Sequence, residues 1–367
     1  MKTPSSTIVF IVMSLSQPRC IKRVMSLAES GYECVVYGYK RGLYDVNTFS
    51  EDISVHVLGE MRNGEVFTNL KTIYKDIKRI IREHGFGCLY YSFGILSSLL
   101  MARKGLKYVY EISDIAYAYP KYDKLSLLLR TLDKRIIRKS ALTVMTSGGF
   151  YEYFGINDKK ILIQPNRVSC VFKDLDRIPM NLSSNGFKFA FVGAVRYETV
   201  LEFARIIGED FPQHEFHFYG GGSKETLDHI SDLVEKHGNI KYHGPFKNPD
   251  ELVSIYNAID IVVACYDVCS QNVRIAEPNK LYESLCFCKP IIVSGRTYLA
   301  ERVRQLKCGF VLDNQSSDSI SNLIKQLNVA DLNDISERES RLDEEEYIDD
   351  VSLLKEKIEE IVCRGSN

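Results

Sequence analysis

The chain has no CxxC pair and no Cys/His set at zinc spacing, although ten cysteines occur among its 367 residues. A zinc module is thereby excluded. The cysteines read as small buried hydrophobes of a reducing compartment. No apolar run can cross a bilayer: residues 88–101 lack charge, but fourteen residues fall short of the ~20 that a spanning helix needs. The run 8–13 is too short for the core of a signal peptide and reads as a first strand. No GxGxxG follows the first strand of either half, where "SLSQPRC" and "GAVRYE" stand instead. That disfavours a nicotinamide dehydrogenase. Nothing resembles a nucleic-acid-binding module.

What is present is an ordinary globular composition, 45% hydrophobic and 26% charged, in a chain long enough for two domains. The net charge of −1 hides an asymmetry. Residues 1–180 hold 27 Lys and Arg against 17 Asp and Glu, and the remainder holds 20 against 31. A basic half joined to an acidic half points to an anionic surface or ligand near the first, or to ordinary scatter of surface charge.

Strands and helices alternate twice. Strand-like runs lie at 7–13, 34–38, 53–58, 88–91, 108–112, 142–146 and 161–164, with helical stretches at 21–30, 70–84 and 125–140. A second series has strands at 187–192, 215–219, 240–242, 261–264, 290–293 and 310–312. Its helices are at 199–208, 224–237, 249–258, 279–287 and 319–327. Such alternation implies parallel sheets covered on both faces. Residues 165–186 break periodicity and read as the linker region. The expected domains are 1–170, a linker at 171–186, a second domain at 187–345 and a C-terminal helix within 346–367 that packs back toward the first domain. The tail from 341 on reads as an acidic helix pair. Ligands of such sheets sit at the carboxyl ends of the strands.

One stretch concentrates chemistry: "EPNKLYESLCFCKPIIVS", residues 277–294. Pro278 suits the first turn of a helix, where its missing N–H costs nothing. The free N–H groups and the dipole there favour an anion. Lys280 adds positive charge, and Glu283 stands three residues on, on the same face. A carboxylate beside an anion pocket makes sense if it accepts from a vicinal diol, as a ribose presents. Lys280 and Glu283 read either as phosphate and sugar contacts of a nucleotide or as an i,i+3 surface ion pair worth ~0.2–0.5 kcal/mol.

This stretch resembles the signature region of GT-B glycosyltransferases of family four, also called group 1. "FVGAVRYETVLEF" (191–203), "FYGGG" (218–222), "YHGPF" (242–246) and "AIDIVVACYD" (258–267) resemble later parts of the donor domain, in order. "VYEISDI" (109–115) and "MTSGGFYEYF" (145–154) resemble acceptor-domain segments of bacterial surface-polysaccharide enzymes. The resemblance implies an α/β GT-B fold, two Rossmann-like doubly wound domains facing each other across a cleft. It implies a retaining hexosyl transfer from a nucleotide-sugar to a glycan acceptor, lipid-linked, in capsule, lipopolysaccharide or exopolysaccharide assembly. The rivals are a nucleotide-sugar epimerase of the same architecture and a non-catalytic scaffold.

By resemblance Glu283 holds the ribose, and Lys280 and Arg196 hold the donor diphosphate, with Gly193 and Asn279 as further donor contacts. Arg196 reads otherwise as a surface residue at a helix start. Fixed cations can stabilise the leaving diphosphate in place of a metal. No metal or other cofactor is expected, because no Asp-x-Asp motif stands in a suitable loop. The chain departs from the family pattern twice. The first of two Glu residues eight apart is replaced by Ile275, and Glu277 stands near it, as a donor-sugar contact or a helix cap. Arg274 and Asn272 are weaker donor candidates. The family's His after the fifth strand is absent. Asp114 is then the acceptor-side carboxylate, with Glu111 alternating to the opposite side, or else Asp114 caps the next turn. The glycines 220–222 read as a tight turn or a close backbone approach to a nucleotide, and His243 as structural or bordering the base. Segment 124–141 is basic and leucine-rich. It reads as a helix lying on the inner face of the cytoplasmic membrane or as a covering helix with a solvated edge. A cytoplasmic protein, peripheral at that membrane, is expected.

Overall fold

A computed structural model describes residues 7–41, 48–61, 69–119, 123–184 and 186–363, without the side chains of 123 and 124. The chain divides into two compact units: Met1–Pro165 with Asp350–Asn367, and Asn166–Asp349. Segment 171–186 thus lies inside the second unit.

The first unit runs β1 (Thr7–Val12), α1 (Pro18–Ala28), β2 (Glu33–Lys40), β3 (Ser54–Glu60), α2 (Leu70–His84), β4 (Leu89–Ser92), α3 (Ile95–Lys104), β5 (Tyr108–Ile112), α4 (Asp123–Lys139), β6 (Leu142–Met145), α5 (Gly148–Phe154) and β7 (Ile161–Ile163). Its sheet has the order β3-β2-β1-β4-β5-β6-β7, with every pairing parallel. Strands β4, β5 and β6 are buried along their whole length. That is why they appear in the sequence as largely apolar runs rather than alternations, Glu111 apart: helices cover both faces of a parallel sheet. Helix α3 packs between α2 and α4. The second half of α4 buries Ile136 and Ile137, whereas its first half leaves Leu125, Leu127 and Leu128 exposed.

The second unit runs β8 (Lys188–Val192), α6 (Glu198–Asp210), β9 (Glu215–Tyr219), α7 (Lys224–Lys236), β10 (Ile240–Gly244), α8 (Leu252–Asn257), β11 (Ile261–Ala264), α9 (Gln271–Ile275), α10 (Asn279–Cys286), β12 (Ile291–Ser294), α11 (Tyr298–Leu306), β13 (Gly309–Leu312), α12 (Ser317–Gln326) and α13 (Val329–Ser340). The sheet order is β10-β9-β8-β11-β12-β13, again all parallel. The expectation of two doubly wound parallel sheets is met.

The acidic tail is not a helix pair. One 3-10 turn, Glu344–Glu346, precedes a bridge between Val168 and Ile348 within the second unit. Helix α14 (Ser352–Cys363) then belongs to the first unit. Its Leu354 and Ile358 are buried in the core with Ile8, Phe10 and Leu27, and Lys107 Nζ donates to the Ile361 carbonyl at 2.9 Å. Among the described residues no helix is long and apolar enough to cross a membrane.

Candidate functional site

In a doubly wound sheet the loops part where strand order reverses, leaving a crevice at the carboxyl ends of the two flanking strands. In the second unit that point lies between β8 and β11. The loops leaving β8, β9 and β10 are knit together there. Gly193 N–H donates to the Tyr219 carbonyl (2.7 Å), Val195 N–H to Gly221 (2.8 Å) and Gly220 N–H to Gly244 (2.7 Å). A Cβ at Gly220 would stand 1.9 Å from the Gly193 oxygen, so only glycine fits that crossing. Gly221, by contrast, faces open space.

Opposite these loops α10 begins. Pro278 precedes its first residue in extended conformation, and no side chain caps the helix. Its anion-attracting N–H groups are therefore not taken by a side-chain cap. The other helix start at this point is different. Asp267, in the loop after β11, accepts from the Glu198 and Thr199 N–H groups of α6 at 3.1 and 3.0 Å, and from the Thr199 hydroxyl at 2.7 Å. A carboxylate already sits where α6 would take an anion, which leaves α10.

Lys280 and Glu283 do meet on one face of α10, but not on the surface. Lys280 Nζ lies 2.6 Å from Glu283 Oε2, with the two side chains only 8% and 2% exposed. This overturns the surface ion pair. Taking two charges out of water is repaid only when the pair is supported by further hydrogen bonds, and on Glu283 it is. Tyr256, on α8, donates to Glu283 Oε2 at 2.5 Å, and the Asn279 amide donates to Oε1. The Lys280 stem runs along Gly193, where an added Cβ would stand 3.3 Å from its Cε. Gly193 also holds φ +142°, a region that disfavours side chains. Gly193, Asn279, Lys280 and Glu283 thus form one assembly.

Arg196 is exposed on the loop after β8, its Nε donating to the Tyr197 hydroxyl at 3.0 Å. Tyr197 packs on Tyr266, with ring centroids 4.5 Å apart. Tyr266 follows β11 and is buried. Burial pushes its phenol well above the ordinary range, Tyr197 and the Glu283 carboxylate add to the effect, and Arg196 opposes it. Arg196 is thus joined through Tyr197 to the buried Tyr266. Tyr197, Tyr256 and Tyr266 were not singled out from the sequence. The only sequence signal they carry is an aromatic in the loop after a strand or inside a short helix, which core residues share.

The remaining donor candidates do not join this network. Glu277 is buried, and its Oε1 accepts from Tyr282 (2.6 Å) and Arg302 (3.1 Å). Burial raises its carboxyl, against the opposing pull of Tyr282 and Arg302. It does not cap α10. Arg274 is exposed and its Nε donates to the Val268 carbonyl at 2.7 Å, bracing the loop after β11. Asn272 is buried on α9, and His243 is stacked on Tyr219 at 4.2 Å.

In the first unit Asp114 is exposed two residues beyond β5 and accepts from the Tyr119 hydroxyl at 3.2 Å. It does not cap the 3-10 turn Ala116–Ala118 that follows. Glu111 is interior instead. It is held by Arg23 Nε at 3.0 Å and by the Tyr91 hydroxyl at 2.5 Å. A third carboxylate escaped the sequence reading. Asp133, on the buried side of α4, accepts from Tyr117 at 2.8 Å. Burial pushes it up to about 7, against hydrogen bonds from Tyr117 and Tyr110.

Residues 172–345 match the family model described as glycosyl transferases group 1. The chain is similar to the succinoglycan biosynthesis protein ExoL of Rhizobium meliloti, with 22% identity over 359 residues, 91% of this chain and 88% of that protein. Among solved structures it resembles the sucrose-phosphate synthase of Thermosynechococcus elongatus, with a TM-score of 0.73, 14% identity and 98% of each chain covered. HepE of Anabaena, solved with UDP and glucose, gives 0.69 and 14%, covering 98% of this chain and 99% of that one. WaaG, a glycosyltransferase involved in lipopolysaccharide biosynthesis, gives 0.68 and 14%, covering 97% and 99%. The fold is GT-B, and the resemblance read from residues 278–294 is borne out.

Proposed function

Taking the chain as a GT-B glycosyltransferase whose residues 172–345 match group 1, we propose that the assembly at the mouth of α10 binds a nucleotide-sugar and that its sugar passes, with retention, to a lipid-linked glycan acceptor. The observation that carries this reading is the buried Lys280–Glu283 pair pressed against Gly193 where β8 and β11 part. The hydrogen-bond count supports the roles. Glu283 Oε1 has one donor and can accept from a ribose hydroxyl as well. Lys280 has three N–H groups and gives one to Glu283, so others can reach a diphosphate.

In the transfer, the bond from the anomeric carbon to the diphosphate oxygen breaks, and the electron pair leaves on that oxygen. Lys280, Arg196 and the α10 N–H groups stabilise the growing charge more than the ground state, in a site that needs no metal. The acceptor oxygen forms the new bond on the same face and passes its proton to the departing phosphate. Asp114 orients the acceptor hydroxyl. Asn279 and Gly193 shape the donor pocket, and Arg274 and Glu277 act on the donor through the loop and helix they brace.

ExoL and WaaG are named for succinoglycan and lipopolysaccharide biosynthesis, which supports a role in surface-polysaccharide assembly; the enzyme performs it on the cytoplasmic side, peripheral to the membrane. Incubation with UDP-, GDP-, ADP- and dTDP-sugars tests the reading. Slow release of one nucleotide, with sugar transfer or hydrolysis, is expected. A free epimer, or no binding and no turnover with any of them, contradicts it.

A further inference from the structure

Helix α2 segregates its charges. Ile73, Ile77, Ile80 and Ile81 are buried against the sheet. Asp76 accepts from the Tyr39 hydroxyl at 2.9 Å and faces Arg79 at 3.7 Å, and Glu83 accepts from Tyr37 at 3.1 Å. The acids of the helix are therefore committed on one side. Lys71, Lys75, Lys78 and Arg82 are all exposed. At 3.6 residues per turn they fall in a stripe about 60° wide and ~16 Å long. None of the four is ion-paired with a carboxylate among the described residues. Like charges one turn apart destabilise an isolated helix, and among the described residues no carboxylate offsets that cost along the stripe.

The stripe lines a groove of about 700 Å³ that is also lined by Leu70, Tyr74 and Leu96. Leu70 and Tyr74 are exposed, and Lys78 Nζ stands over the Tyr74 ring at 5.3 Å. Leu96 comes from α3, which packs against α4 on its other side. The first half of α4 exposes three leucines: Leu125 at 53%, Leu127 at 74% and Leu128 at 68%. Cations without acids, interleaved with apolar side chains that water does not favour, match the charge and the apolar depth of an anionic bilayer surface. A nucleic-acid groove would match the charge alone.

We infer that the α2 groove is a docking site for the phosphate headgroups of an anionic membrane, with Lys71, Lys75, Lys78 and Arg82 taking the phosphates and Leu70, Tyr74 and the α4 leucines entering the apolar boundary. The inference deepens the lipid-linked-acceptor reading and rests on it for its purpose. It differs from an α4-only contact because it makes α2 the principal electrostatic element.

The test is flotation of the full chain with phosphatidylcholine vesicles and with vesicles containing 30 mol% phosphatidylglycerol, at low and high salt. The wild type is expected to float only with the anionic vesicles and to be released by salt. Combined Lys71→Gln, Lys75→Gln, Lys78→Gln and Arg82→Gln substitutions should lower that partitioning at least ~10-fold, since each basic residue near the surface contributes. Arg135→Gln, Arg138→Gln and Lys139→Gln should lower it less. Tyr74→Ser keeps every charge and should weaken retention once bound. Circular dichroism and nucleotide-sugar binding, measured on the same variants, should be unchanged. The inference is overturned if the α2 variant floats like the wild type, if the α4 variant loses more, or if the wild type binds a DNA oligonucleotide and not the vesicles. Failure of the enzyme reading is distinguishable: the wild type would then bind no nucleotide-sugar, whatever the vesicles show.

Discussion

Each unit buries a carboxylate beside the point where its sheet reverses, and the two are built differently. Glu111 is the penultimate residue of β5, locked by Arg23 and Tyr91 on Oε2, while the Arg19 guanidinium stands 3.9 Å from Oε1. Among the described residues no hydrogen bond reaches Oε1. Glu283 lies in the first turns of a short helix, with hydrogen bonds on both oxygens and a lysine that retains donors to spare. The first arrangement ties β4 and β5 to α1. The second sets a charge pair at the mouth of α10, against the Gly193 loop. Burial alone therefore does not mark a site; what sets Glu283 apart is the uncapped start of α10 and the Gly193 loop pressed against its lysine.

The comparison can be broken most forcefully by removing each acid. Glu111→Ala and Glu283→Ala should both destabilise the chain, by ~3–5 kcal/mol, because each leaves a buried cation unpaired. Only Glu283→Ala should also weaken the nucleotide, measured by calorimetry on the folded fraction. Equal donor affinity in the two variants would erase the distinction. Next in size, Arg196→Ala should cut turnover by ~10²–10³ if it meets the developing charge, while the melting temperature holds because Arg196 is exposed. Lys280→Ala should lose turnover and stability together, as a buried partner must. Normal turnover in both would remove them from the leaving-group role.

A third prediction concerns the first unit alone. Asp133 is raised by burial to about 7 from 3.8. The folded chain therefore holds this proton over a range where the unfolded chain has lost it. Its stabilising contribution is fully present below about 3.8 and is lost as pH rises through about 7. Asp133→Asn should flatten the fall in denaturant stability between pH 4 and 7. An unchanged slope would contradict the assignment. Smallest, Gly193→Ala should cost ~1–2 kcal/mol through its positive φ and its crowding of Lys280, with a matching loss of donor affinity. A melting point and affinity equal to wild type would show that Lys280 has room.

The strands were legible because full burial writes itself as apolar runs. Tyr108–Ile112, Glu215–Tyr219 and Ile261–Ala264 begin and end where the runs do. Most helices were legible where one face meets water, and α10, buried almost throughout, was legible from Pro278 and the stretch that follows it. Helix α3 was not read, because Ser97, Ser98, Leu100 and Met101 are all buried and leave little amphipathic signal. Helix α13 was missed because its polar residues interrupt the period.

The aperiodic stretch near 177 is held by tertiary bonds that no local pattern encodes. Arg177 donates to the carbonyls of Leu285, Leu342 and Glu339, and Met180 N–H donates to Ser336. The candidate site was half legible. Lys280 and Glu283 could be placed on one face by counting. Their burial, and the tyrosines that hold them, arise from loops that meet only when the sheet is formed. Glu277 looked similar in sequence, yet it turns to Arg302 on α11, a partner 25 residues away.

The most direct test is calorimetric titration of UDP, GDP, ADP and dTDP into the wild type and into Glu283→Gln, a variant that keeps the shape of the side chain. The account predicts that one nucleoside diphosphate binds the wild type and binds the variant at least ~10-fold more weakly, as loss of a charged hydrogen-bond acceptor requires. Equal affinity in the two proteins, or no binding of any of the four to the wild type, would contradict it.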